Sequence, residues 1–266
     1  MAEAEILIEK LCYGGAGLGR LEGKACFVPF SAPGDRVRFQ VVKEKKSFIE
    51  GKLLSVCEPS VQRVAPPCPV FGTCGGCDWQ HLPYSEQLRH KGEIFADALR
   101  RTGRVTGEVV EPVLGSPDEY GYRTRIQLKV AHLGGTLQLG FFQAGSHQVV
   151  DIPFGCAIAA PLLNRIAAEF RALLPKLTGS SSLSQIDLSL GDDGASIAVL
   201  HVEEPHAAAL MRDLQAARAS LPSVAGLYLR TGSKSRIEQV FGIDALSYRI
   251  PAGLLPGSPQ RTLHFG

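Results

Sequence analysis

Through the first 58 residues apolar side chains alternate with polar ones or run together in short stretches, at 6–11, 26–30, 37–42 and 48–56, broken by glycine and proline. A period of two with such punctuation predicts β-strands, and four short runs in so few residues suit a small closed barrel. Pro33-Gly34-Asp35 carries hairpin chemistry, and Lys43-Glu44-Lys45-Lys46 reads as the tip of a long hairpin. The pattern then stops: 59–78 is rich in proline and cysteine and predicts an irregular knuckle. From Tyr84 to about Arg101 the period changes to that of a helix, with Leu88, Ile94, Phe95, Ala98 and Leu99 on one stripe and Arg100, Arg101 and Arg104 near its C-terminal end.

The rest alternates strands with helices. Runs at 122–130, 137–142 and 148–152, joined by short turns, predict an antiparallel meander. A helix follows from Pro161, which suits a first helical position, to 174, with Leu162, Leu163, Ile166, Phe170 and Leu173 as its apolar stripe. Runs at 186–190 and 195–202 flank Gly191-Asp192-Asp193-Gly194 and predict a hairpin. A helix at about 206–219 and strands near 224–229 and 237–241 complete the series. The expected fold class is therefore a small closed β-barrel followed by an α+β domain with an antiparallel sheet. The expected divisions are 1–58 for the barrel, 59–104 for the cysteine-rich knuckle and helix, and 105–250 for the α+β domain.

Composition narrows this picture. At 266 residues the chain is comfortable for two domains, and its formal charge of +2 supplies no whole-molecule field for nucleic acid, so any such surface is a local patch. Seven cysteines, an odd number, suggest a reducing compartment rather than a disulfide framework. No apolar run approaches the ~20 residues of a membrane helix. The start, Met-Ala-Glu-Ala-Glu, has no signal or transit character. A cytoplasmic monomer is expected.

Cys68, Cys74 and Cys77 lie within ten residues, and Cys156 stands alone in Ile-Pro-Phe-Gly-Cys-Ala-Ile. Clustered thiolates are soft ligands that select zinc or an iron–sulfur centre, and Gly75-Gly76 lets the backbone turn tightly between two of them. On chemistry alone either Cys156 or His81 could complete the set. Cys12, Cys26 and Cys57, each on a strand-like run, read as core. The stretch Gly14-Gly15-Ala16-Gly17-Leu18-Gly19 does not supply the spacing of a dinucleotide loop and leads into a strand rather than a helix, so it reads as a flexible turn on the barrel rim.

The order of these motifs resembles a family. Gly-x-Gly-x-Gly-Arg, Phe-Val-Pro-Phe-x-x-Pro-Gly-Asp, Cys-x5-Cys-Gly-Gly-Cys, and Gln-His-Leu-x-Tyr-x-x-Gln-Leu-x-x-Lys, followed by Tyr122-Arg123-Thr124-Arg125 and by Leu139-Gly140-Phe141 before Ser146, are similar to the TRAM-domain RNA uracil-5-methyltransferases. The resemblance implies that residues 1–58 are a TRAM barrel of the OB type. It also implies that Cys68, Cys74, Cys77 and Cys156 hold a four-iron, four-sulfur cluster; Trp79, beside the knuckle, reads as a cap over it. It implies RNA as partner, ribosomal ahead of transfer, and S-adenosylmethionine as methyl donor of the intact family enzyme. The resemblance implies that 251–266 is a truncated linker to the family's doubly wound donor-binding domain; that domain, with its attacking cysteine and general base, is expected to have no counterpart in these 266 residues, so no catalytic or donor-binding residue is expected and the chain alone should be inactive.

What remains for this chain is RNA placement. Arg20, Lys24, Lys43, Lys45 and Lys46 on barrel loops, and Arg123, Arg125 and Lys129 on one face of a strand, are the candidate phosphate contacts. Phe48, Tyr122, Phe141 and Phe142 are candidate base platforms, while His81, His90, His132 and His147 read as surface or supporting groups. A zinc- or iron–sulfur-stabilised RNA-binding module without a methylation role is the alternative. A radical enzyme is disfavoured, because its three cysteines sit at three- and two-residue gaps.

Overall fold

The computed structural model describes residues 2–265 apart from 108, 205, 233–235 and 254–258. The chain forms two compact units, Met1–Pro117 and Asp118–Gly266.

The first unit is built on a closed barrel of β1 (Glu3–Leu11), β2 (Gly17–Leu21), β3 (Lys24–Val28), β4 (Arg36–Glu44) and β5 (Phe48–Glu58), in the order β1-β2-β3-β5-β4. Neighbours are antiparallel except β3 and β5. The expected alternation is realised in its core, where Ile6, Ile8, Cys26, Val28, Val37, Phe39 and Ile49 meet. The glycine stretch is a turn only as far as Ala16. Gly17 and Gly19 lie in β2, where an added Cβ would come within 2.1 Å of Ser31 Oγ and 2.4 Å of the Leu7 carbonyl oxygen. These glycines permit close approach rather than flexibility. Of the three cysteines read as core, only Cys26 is buried; Cys57 is exposed at the end of β5, where its thiol contacts Glu5 at 3.7 Å.

After the irregular knuckle comes α1 (Tyr84–Thr102). Its stripe is shallower than its sequence suggests: Phe95 is exposed, and Ile94 reaches the small cluster of Leu11, Ala32 and Leu82. Lys10 on β1 reaches Asp97 on α1 at 3.3 Å.

The second unit holds β6 (Arg125–Leu133), β7 (Thr136–Phe142), β8 (Val149–Asp151), α2 (Pro161–Leu173), β9 (Leu183–Leu190), β10 (Ser196–Val202), α3 (Ala207–Ala216), β11 (Gly226–Thr231), β12 (Arg236–Gly242), β13 (Leu246–Ile250) and β14 (Arg261–Phe265). Strands β6 to β12 form one sheet in the order β12-β11-β10-β9-β6-β7-β8. The expected meander and hairpin pair antiparallel, but the sheet is mixed, because β10 and β11 run parallel. The reason lies in the connection. A tight turn reverses a strand, whereas α3 carries the chain back to the end from which β10 started.

Two boundaries also move. Strand β6 begins at Arg125, and Arg123 instead bridges Ala159. The tract read as a linker pairs β14 with β13, with 254–258 outside the described residues. The described residues contain no doubly wound parallel sheet, and no helix among them is long and apolar enough to cross a membrane.

Candidate functional site

In the first unit a buried carboxylate fastens the barrel to the segment that bears the thiols. Asp35, fully buried, accepts hydrogen bonds from the backbone N–H groups of Ala32 (2.6 Å) and Ser60 (2.8 Å) and from Arg63 Nε at 3.0 Å. Arg63 also donates through Nη2 to the Phe30 carbonyl at 2.7 Å. Phe30 has a φ of 62°, an uncommon backbone setting for a residue with a side chain, and this clamp helps hold it there. Its ring stands edge-on to Phe71 of the knuckle at 5.4 Å.

His81 lies beneath. Of the two expected settings, surface or supporting, the first does not hold: His81 is fully buried against Phe71, and neither ring nitrogen has a hydrogen-bond partner. Burial, reinforced by the Arg63 guanidinium, pushes its pKa down to about 4, against the smaller opposing pull of the Asp35 charge. His90 is buried too, with Nδ1 2.9 Å from Glu93. Trp79, expected over the thiols, packs on the cluster of Leu11, Ala32 and Leu82 and donates from Nε1 to the Gly15 carbonyl at 2.9 Å.

The thiol loop is a run of tight turns. Phe71 N–H donates to the Cys68 carbonyl, and both Thr73 and Cys74 N–H donate to Val70. The loop is tied to its exit by Cys68 N–H, which donates to Gln80 Oε1 at 3.2 Å. All seven cysteines are free of disulfides, and Cys68, Cys74, Cys77 and Cys156 are half-buried. The donor chemistry therefore fits a soft metal centre. Among the described residues, however, no three Cys, His, Asp or Glu side chains are gathered as a metal-holding group. Thiols do not attract one another, and closing such a site is coupled to binding the metal.

The cations expected to meet phosphate divide into two classes. Arg20 faces Glu9 at 4.0 Å, Lys24 meets Glu44 at 2.5 Å and Lys43 meets Glu50 at 3.0 Å. The carboxylates that the barrel supplies thus offset much of its basic rim. Lys45, Lys46, Arg123, Arg125 and Lys129 have no carboxylate partner within 4.0 Å among the described residues, and only these can offer a full charge without first breaking a pair.

Arg125 and Lys129 share a face of the second unit's sheet. Along β6 the residues Ile126, Leu128 and Val130 are buried, whereas Arg125 and Gln127 are exposed and Lys129 half-buried. The register continues the second face through Gln185 and Asp187 of β9 and His201 of β10. There Lys129 Nζ donates to Gln185 Oε1, Gln185 Nε2 to Asp187 at 2.5 Å, and Asp187 lies 3.0 Å from His201 Nε2. Lys129 also sits 5.0 Å from the centre of the Phe142 ring, and His147 stands edge-on to that ring at 5.2 Å. Sequence reading singled out Arg125, Lys129 and Phe142 but missed Gln127, Gln185, Asp187 and His201. The available signal was that all four occupy the polar positions of alternating strands.

Comparison with known proteins adds to this geometry. The TRAM domain model matches residues 2–54. The chain is 35% identical over 252 residues to the 23S rRNA (uracil(1939)-C(5))-methyltransferase RlmD of Nitrosospira multiformis, covering 93% of this chain and 56% of that protein. It is 41% identical over 148 residues to an RNA methyltransferase of Halalkalibacterium halodurans, covering 56% of this chain and 32% of that protein. The chain thus spans from about a third to just over half the length of these relatives. Its fold is similar to that of the Pyrococcus abyssi tRNA (uracil-54, C5)-methyltransferase solved with S-adenosyl-L-homocysteine, with a TM-score of 0.66 and 23% identity over 92% of this chain and 57% of that one. The chain carries a TRAM domain at residues 2–54 and, over nearly all its length, is similar to about half of a 23S rRNA uracil-C5 methyltransferase.

Proposed function

We propose that this chain is the RNA-placing portion of an RNA uracil-5-methyltransferase. It grips a folded ribosomal RNA as a monomer, helps splay the target uridine from its stack and presents carbon 5 to a methyl group from S-adenosylmethionine. The observation that carries this reading is the 35% identity over 252 residues to a protein named for that reaction. The TRAM barrel and the unpaired cations of β6 support it, since phosphate contacts set the position of an RNA before any base is read. Lys45, Lys46, Arg123, Arg125 and Lys129 are the principal phosphate contacts, and Arg20, Lys24 and Lys43 join them at the cost of surface ion pairs worth about 0–1 kcal/mol each.

Cys68, Cys74, Cys77 and Cys156 are the proposed ligands of a four-iron, four-sulfur cluster. That centre would supply a fixed clamp for the thiol loop. No residue of the chain is assigned to attack the base, to remove its proton or to bind the methyl donor.

Two measurements test the reading. Given a uridine-bearing ribosomal stem-loop and labelled S-adenosylmethionine, the chain should bind the RNA and transfer no label. Failure to bind RNA would remove the reading, and label in the RNA would overturn the assignment of placement alone. Purified without air, the protein should be brown with about four irons per chain, the stoichiometry of that cluster. Cys74→Ser should bring iron to background and reduce solubility, whereas a colourless protein or an unchanged iron content in the variant would refute the ligand set.

A further inference from the structure

We propose that the face of the seven-stranded sheet bearing Arg125, Gln127, Lys129, Phe142 and Gln185 is a platform for unpaired RNA; this rests on the RNA-placing reading above and deepens it to a site and a substrate class.

The sheet has two unlike faces. Ile126, Leu128, Leu139, Ile186, Leu188, Leu200 and their neighbours are buried, and this is the side on which α2 packs on β7 and β9, and α3 on β11 and β12. The other side carries half-buried and exposed polar groups. From β7 to β10 it bears two cations without a carboxylate partner, Arg125 and Lys129, and one carboxylate, Asp187, which is held by Gln185 and His201. A face with this balance complements a polyanion.

Its remaining chemistry selects among polyanions. Gln127 and Gln185 carry amides able to donate to and accept from base edges, and Phe142 offers a ring on which any base can stack. Lys129 lies close enough to serve either that ring or a phosphate beside it. In an A-form duplex the base faces are stacked on one another and the major-groove edges lie too deep for side chains, so a ring such as that of Phe142 can stack on a base only when the base is unpaired. The chain of contacts from His147 through Phe142, Lys129, Gln185 and Asp187 to His201 holds these groups in place, so that less side-chain freedom is lost on binding.

The test measures binding of the whole chain to a uridine-rich single-stranded RNA and to the same sequence as a duplex, with a 5-bromouridine version for photo-cross-linking. The single strand should bind at least tenfold tighter than the duplex. Phe142→Leu, which keeps an apolar side chain, should weaken single-strand binding by about tenfold, in line with the loss of one stacked base. Arg125→Ala, at an exposed position that folding does not need, should weaken it severalfold, and cross-links should fall within residues 125–147. Unchanged affinity in both variants while wild type still binds would overturn the platform and leave RNA placement to the barrel. Equal affinity for the duplex would overturn the substrate class, and no RNA binding by wild type would remove the parent reading and this one together.

Discussion

Asp35→Ala is expected to destabilise the first unit by about 3–5 kcal/mol, the range for breaking a buried ion pair by removing one partner. The carboxylate is fully buried, and its loss strands the Ala32 and Ser60 N–H groups as well as Arg63, whose side chain is only 21% exposed. The damage should be directional. Arg63 would no longer hold the Phe30 carbonyl in its left-handed setting, so the barrel's strands should persist while the segment from Ser60 to Asp78 loosens. Urea unfolding followed by tryptophan fluorescence reports both, because the one tryptophan of the chain, Trp79, adjoins that segment and contacts the Gly15 turn of the barrel. A loss below about 1 kcal/mol, the scale of an exposed pair, would show that Asp35 is not the fastening point.

The second large effect is acid sensitivity at His81. Its folded pKa of about 4 lies below the usual 6.5, so the folded protein favours the neutral ring and the unfolded chain takes up the proton first. Stability is therefore fully present above pH 6.5 and falls as the pH drops towards 4, by about 3 kcal/mol over that window. Burial fixes the sign, because a ring shut away from water resists a charge; Arg63 adds to it, and Asp35, already committed to Arg63, offsets little. His81→Leu should remove this part of the pH dependence and be neutral or mildly stabilising at pH 7, since two unpartnered buried nitrogens are exchanged for carbon. Urea midpoints measured from pH 7 to pH 4.5 for both proteins decide the matter. A variant that loses as much stability on acidification as wild type would refute the assignment.

Much of this fold is legible in the sequence, and the parts that are not share a cause. Helix α2 follows from a proline start and one apolar stripe, and the β9–β10 hairpin follows from two alternating runs about a Gly-Asp-Asp-Gly turn, because local periodicity carries all the information needed. Strand β2 was hidden because its glycines contribute no apolar pattern; they are required by Ser31 and Leu7, which come from elsewhere in the barrel. The parallel pairing of β10 and β11 is likewise invisible, since period two marks a strand without its direction.

The site shows the same division. Motif spacing picks out Cys68, Cys74 and Cys77, and the alternation of β6 aligns Arg125 with Lys129. Arg63 was overlooked because its partner Asp35 is reached only by folding, and the same holds for Gln185 and His201, which become chemistry only when the register sets them around Asp187. The motif Gln80-His81-Leu82-x-Tyr84-x-x-Gln87 has a structural reading beside its family resemblance. Gln80 holds Cys68, Gln87 Nε2 donates to the Trp79 and Leu82 carbonyls, and the Tyr84 hydroxyl accepts from Ser116 N–H.

The most direct test of RNA placement by unpaired cations is the salt dependence of binding. Affinity for a single-stranded uridine-bearing RNA should fall linearly on a log–log plot against salt, and the Arg123→Ala, Arg125→Ala double variant should flatten the slope by about 1.4, the share of two phosphate contacts. An affinity that does not change with salt, or a double variant with the wild-type slope, would contradict the account.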